Sequence, residues 1–105
     1  MNIKNLTPHP INILKYNHDL LTIEPSGIIA RVDQKTIERN NVDGIRFYDS
    51  VFGAVENLPD KVDNTLLIVS SIVKSAAKDR DDLVVPCNYV RDQSGKIIAC
   101  EGLSF

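Results

Sequence analysis

Leu66-Leu67-Ile68-Val69-Ser70-Ser71-Ile72-Val73-Lys74-Ser75-Ala76-Ala77-Lys78 changes its hydrophobic period partway along, and that change decides the fold class. The unbroken apolar run Leu66 to Val69 predicts a central strand. Apolar residues then recur at Val69, Ile72, Val73, Ala76 and Ala77. This is the spacing of an amphipathic helix, with Lys74, Ser75 and Lys78 facing outward. Ser70 or Ser71 can cap the first turn, and Lys78 and Arg80 suit the C-terminal end, so a helix is expected over about residues 70–79.

On both sides of this stretch the chain looks like strands. It has 12 Ile and 10 Val against three Phe, three Tyr and no Trp, a β-branched excess that favours sheets. Strands are expected at Asn2 to Leu6, Ile11 to Lys15, Leu20 to Glu24 and Ile28 to Val32, joined as a meander by Thr7-Pro8-His9-Pro10, Tyr16 to Asp19 and Pro25-Ser26-Gly27. Asp33 to Gly44 is strongly polar, with Ile37 its one apolar anchor, and is expected to be a loop with one helical turn. Ile45 to Leu58 predicts a long strand or two joined strands, bent or bulged at Gly53. Leu83 to Arg91 and Lys96 to Leu103 close the chain as a hairpin. The expected fold is a single α+β domain over 1–105, a curved, mostly antiparallel sheet or partly open barrel of about seven strands with one main helix.

Composition narrows the function classes. Twelve Lys and Arg against fourteen Asp and Glu give a net charge of −2, which argues against general nucleic-acid binding. The apolar runs are too short to cross a bilayer and no signal-peptide core is present, so a cytoplasmic protein is expected. Cys87 and Cys100 are expected to be reduced. A four-residue loop at Asp92 to Gly95 would set them opposite each other. A three-residue turn with a glycine bulge, pairing Asp92 with Lys96, would put them on opposite faces. His9 and His18 form no ligand-spaced cluster with either thiol, so neither a metal nor a cofactor is expected.

Several groups are suited to an anion. Thr7 and His9 each precede a proline and are restrained to extended angles, so they form either a stiff corner facing a ligand or a blunted sheet edge. Ser70-Ser71, at a strand-to-helix junction, offers hydroxyls and free N–H groups, or simply caps the helix. Arg31, Arg46, Arg80 and Arg91 lie in or beside regular elements, where a guanidinium fork can grip phosphate. Arg80 and Arg91 also have acidic neighbours to pair with. No nucleophile elbow, phosphate loop, dinucleotide fingerprint or zinc helix occurs, and no catalytic residue is assigned.

The opening Asn5-Leu6-Thr7-Pro8-His9-Pro10-Ile11 combines with several later segments. These include Pro25-Ser26-Gly27, Ala30-Arg31-Val32, Val51-Phe52-Gly53-Ala54-Val55-Glu56, Ile68-Val69-Ser70, Arg80-Asp81-Asp82-Leu83 and Val90-Arg91-Asp92. Together they resemble a family of small proteins of phages, prophages and bacteria that open with an N-L-T-P-H-P signature. The chain departs from it in a longer 33–44 segment and at Cys87-Asn88-Tyr89, where the family is richer in Gly and Pro. The resemblance implies no catalytic residue. It implies a phage setting, in which small proteins of this size act as sponges for nucleotide immune signals, an analogy of setting only.

The expectation is therefore a non-enzymatic binder of a small anionic ligand, such as a cyclic nucleotide or ADP-ribose derivative, in phage anti-defence. Thr7, His9, Arg31, Ser70, Arg80 and Arg91 are its expected contacts. The alternatives are a small hydrolase or lyase with His9 as general base, and an interaction module that blocks a host factor. A homo-oligomer, most simply a dimer, is expected, joined through a strand edge or the outer faces of Phe47, Phe52 and Tyr89. It would bring two copies of Arg31 or Arg91 around one site.

Overall fold

Turn-forming residues cut the chain into eight strands and one short helix. A computed structural model describes residues 1–105. It runs β1 (Asn2–Asn5), β2 (Ile11–Leu14), β3 (Leu20–Ile23), β4 (Arg31–Val42), β5 (Ile45–Glu56), β6 (Thr65–Ile68), α1 (Ser71–Ala76), β7 (Leu83–Arg91) and β8 (Ile97–Ser104). Six strands form one curved sheet in the order β1-β6-β7-β8-β2-β3, and β4 and β5 pair only with each other. The sheet is barrel-like with one open seam, as the α+β expectation requires.

The ladders of β4 with β5, β7 with β8 and β2 with β3 are antiparallel. The short pairings of β1 with β6, β6 with β7 and β2 with β8 are parallel. Of the expected opening meander only the β2–β3 hairpin is present. β1 leaves along β6, and Thr7-Pro8-His9-Pro10 carries the chain across the seam to the β2–β3 hairpin. A single bridge between Asn5 and Pro25 spans that seam.

Packing is concentrated under the helix. Leu6, Ala30, Leu67, Val69, Val73, Ala77 and Leu83 form the core cluster, with Val32, Val55, Leu58 and Val85 against it. The helix is shorter than expected. It ends at Ala76, and Ile72 and Ala76 stay exposed while Val73 and Ala77 are buried. The acidic Asp79, Asp81 and Asp82 beyond it oppose the negative end of the helix dipole, and Arg80 is drawn to Asp82 instead of the helix end.

Asp33 to Gly44 is the main correction. Asp33 to Val42 is strand, not loop, in a hairpin arm in which only Val32 and Val55 at the base are half-buried. The tip turn is Asp43-Gly44, with φ of 54° and 78°, the two left-handed positions of a type I′ turn. Asp-Gly between Val42 and Ile45 is the signal that identifies it. The bend expected at Gly53 is present as a register slip between Val32 and Gln34. A Cβ at Gly53 would lie 3.4 Å from the Asp33 Cβ. Because of the arm, the radius of gyration is 16.9 Å, against ~13 Å for a compact chain of this length.

The closing hairpin follows the three-residue turn. Asp92 N–H donates to the Lys96 carbonyl at 2.9 Å, and Gly95 takes φ +87°. A second slip follows between Val90 and Arg91, with Ile98 as the extra residue on β8. It reverses the side-chain parity that the turn alone would set. Cys87 then pairs with Gly102 and Tyr89 with Cys100, so the two thiols share a face diagonally, which neither expected register produces.

Candidate functional site

The N-terminal signature folds into a self-satisfied corner centred on Asn5, which is wholly buried. Its Nδ2 donates to the carbonyls of His9 (2.8 Å) and Ile23 (3.0 Å). Its Oδ1 accepts from the Thr7 N–H (2.9 Å) and the Thr7 hydroxyl (2.6 Å). The Asn5 carbonyl accepts from the Ser26 N–H at 2.9 Å. The carboxamide thus uses both donors and both acceptor sites across the seam. Thr7 spends its hydroxyl on this corner, and the exposed His9 ring makes no hydrogen bond or ion pair while its carbonyl is used. Sequence reasoning missed Asn5. An Asx turn onto Thr7, two residues ahead, was the local signal, but the Ile23 contact was not local.

The other expected contacts are far apart in the fold. Arg31, at the base of the arm, lies 3.8 Å from Glu56, both well exposed. Ser70 is the helix cap, its Oγ accepting from the Val73 N–H at 3.3 Å. Arg91 donates to the Gly95 carbonyl at 2.8 Å and braces its own turn. Arg80 grips Asp82 through Nε (2.9 Å) and Nη2 (2.8 Å), and Nη2 also donates to the Pro59 carbonyl at 2.9 Å. Asp82 is 3% exposed. Its hydrogen bonds from Arg80 hold its carboxyl below the usual carboxylate range despite burial. The same bonds raise the Arg80 pKa. Nothing in the fold gathers the six expected residues around one centre.

A different set does converge. Ser71, Lys74, Ser75 and Lys78 follow the i, i+3, i+4, i+7 spacing and so share one face of α1 and the turn after it. They line a groove of about 360 Å³ whose other walls are Ala77, Arg80, Val85 and Phe105. No acidic side chain lines it, and the Arg80 charge is already balanced by Asp82. Lys74 and Lys78 enter no ion pair. Phe105 is 70% exposed and offers an aromatic surface beside the two ammonium groups.

A larger groove, about 630 Å³, lies between the β2–β3 loop and β7–β8 and is lined by Lys15, Tyr16, His18, Asn88 and Glu101 among others. Lys15 and Glu101 offset each other there, so it carries no field for an anion. No three His, Cys, Asp or Glu side chains converge as a metal ion requires. No helix is long and apolar enough to cross a membrane. Comparison with protein-family models, with curated proteins and with solved structures finds no match for this chain.

Proposed function

We propose that this protein is a non-enzymatic binder of a small anionic ligand of nucleotide type, held in the α1–β7 groove. The observation that carries the reading is the convergence of Lys74 and Lys78, free of ion pairs, with Ser71, Ser75 and Phe105 in one groove that no acidic side chain lines. Two ammonium groups and two hydroxyls match a phosphate or pyrophosphate, and an exposed ring can stack on a base. The volume falls at the small end of the ligand-pocket range. Of the six contacts expected from sequence, this reading keeps Arg80 as a wall residue and replaces Ser70 by Ser71. In the phage setting that the N-L-T-P-H-P resemblance implies, such a protein sequesters a nucleotide immune signal. Sequestration requires affinity and no chemistry.

The hydrolase alternative draws no support from His9, which has no carboxylate to orient it. Calorimetric titration with cyclic nucleotides and ADP-ribose tests the binder reading. Binding tighter than millimolar that is lost in Lys74→Glu/Lys78→Glu, with intact ligand recovered on heating, supports it. Absence of binding, or recovery of a cleaved product, overturns it.

A further inference from the structure

The β4–β5 arm carries an apolar face with nothing packed on it. Directly opposed residues of an antiparallel pair share a face. Ile37 therefore lies with its partner Asp49, and Val51 with Lys35. Alternation along β5 adds Ile45 and Phe47, and Val42 joins through its pairing with Ile45. Val42, Ile45, Phe47, Ile37 and Val51 thus form one stripe, each 46–59% exposed. The one ion pair within the stripe is internal, Arg39 Nη1 to Asp49 Oδ1 at 3.5 Å. The reverse face is mixed, with Glu38, Tyr48, Thr36, Ser50, Gln34 and Phe52 in register. Phe47 and Phe52 therefore point to opposite sides of the arm.

We infer that this stripe is a homodimer contact, packing face to face on the same stripe of a second copy about a two-fold axis. Three observations select a second copy over other occupants. First, a two-stranded hairpin has at best marginal stability alone in water, so an arm of this length needs a cover. Second, the stripe is close to electrically self-complementary. Arg39 and Asp49 balance within it, and Lys35 is matched by Asp33, two residues along β4 on the same face. A phosphate-bearing partner would find little to hold. Third, the five side chains, each about half exposed, present roughly 500 Å² per copy, against the ~600–1,000 Å² per partner of stable interfaces. With the stems of Lys35 and Arg39, a symmetric pair reaches the ~1,200 Å² lower bound of stable interfaces. Edge pairing is the less favoured route, because β4 carries Lys35, Glu38 and Arg39 and slips register after Glu38, features that blunt an edge.

Light scattering and hydrogen exchange over a range of protein concentration test this inference. The expected mass is twice 11.7 kDa, with arm amides more protected as concentration rises. Ile37→Arg with Phe47→Arg should weaken dimerisation more than about tenfold. Tyr48→Arg, on the reverse face, should leave it unchanged. Both variants lie outside the core, so amide spectra of the body report whether the fold is kept. A mass of 11.7 kDa with concentration-independent exchange overturns the inference. So does a dimer that survives the double variant or dissolves in Tyr48→Arg, or an arm that becomes covered only when a different protein is present. Nucleotide affinity is a separate readout, since the groove lies on α1 and β7.

Discussion

The body and the arm are built from similar sequence by different rules. In the body, one layer of sheet curls around Leu6, Val69, Val73 and Leu83, each at most 2% exposed. In the arm, Ile37, Phe47 and Phe52 are comparable hydrophobes left about half in water. Burial in the body is set by the chain itself, whereas the arm has no layer of its own to pack against. The difference shows that hydrophobic content does not define a core. A core also requires a second surface within reach.

Substitutions that remove the same chemistry from the two regions should expose this contrast. The largest effect is expected for Leu83→Ala, which leaves a cavity in the body and costs about 3 kcal/mol, a fall in Tm of more than about 10 °C. Val51→Ala in the arm should change monomer stability by no more than about 0.5 kcal/mol. Thermal melts at low protein concentration compare the two, and equal losses would mean that the arm is part of the core. Asn5→Ala comes next at about 2 kcal/mol, because it orphans groups at the seam. Thr7→Val, with one bond lost, should cost about half as much.

The Arg80–Asp82 pair provides a pH test of the same contrast. Asp82 has a lowered carboxyl pKa in the folded chain. Its contribution is complete above the unfolded value of about 3.9 and is lost as pH falls through the folded value. Urea melts from pH 6 downwards should show an acid loss of stability below about pH 4 that is shallower in Asp82→Asn. The neutral variant should already be weaker at pH 6. An unchanged pH slope would mean that the pair contributes nothing. A purely local effect is expected at the arm tip. Gly44→Ala forces a side chain into φ 78° at a cost of about 1 kcal/mol. It should speed hydrogen exchange near Asp43 while leaving the body's Tm in place.

The legible parts of the fold were those with local causes. The strand-to-helix change at Ser70, the β2–β3 loop and the Gly53 bulge are each written in a few adjacent residues. β4 was misread because Asp33, Lys35, Glu38 and Arg39 look like loop when water lies on both sides of a strand. The neighbouring Asp43-Gly44 turn carried the better evidence. The parallel pairing of β1 with β6 has no local mark, since it joins Asn2 to Thr65. The cysteine register depended on a bulge at Ile98, where no glycine announces it. At the candidate site, Lys74, Ser75 and Lys78 were legible as an outward stripe. Their partner walls, Val85 and Phe105, came from distant β7 and beyond β8.

The pairing of β1 with β6 and of β2 with β8 also dictates when this protein can fold. Ile13 meets its parallel partner only at Cys100, and β1 meets β6 only at Thr65, so β1 and β2 leave the ribosome long before those partners. The arm, closed by a two-residue turn, forms within microseconds of its emergence, long before the body has the strands to enclose a core. Nascent chains on one message thus carry an apolar hairpin, marginal on its own, beside an unfinished barrel. The body, dominated by distant pairings, is the slow step. Pairing is thus expected in the arm first and in the body last, the reverse of their order in stability.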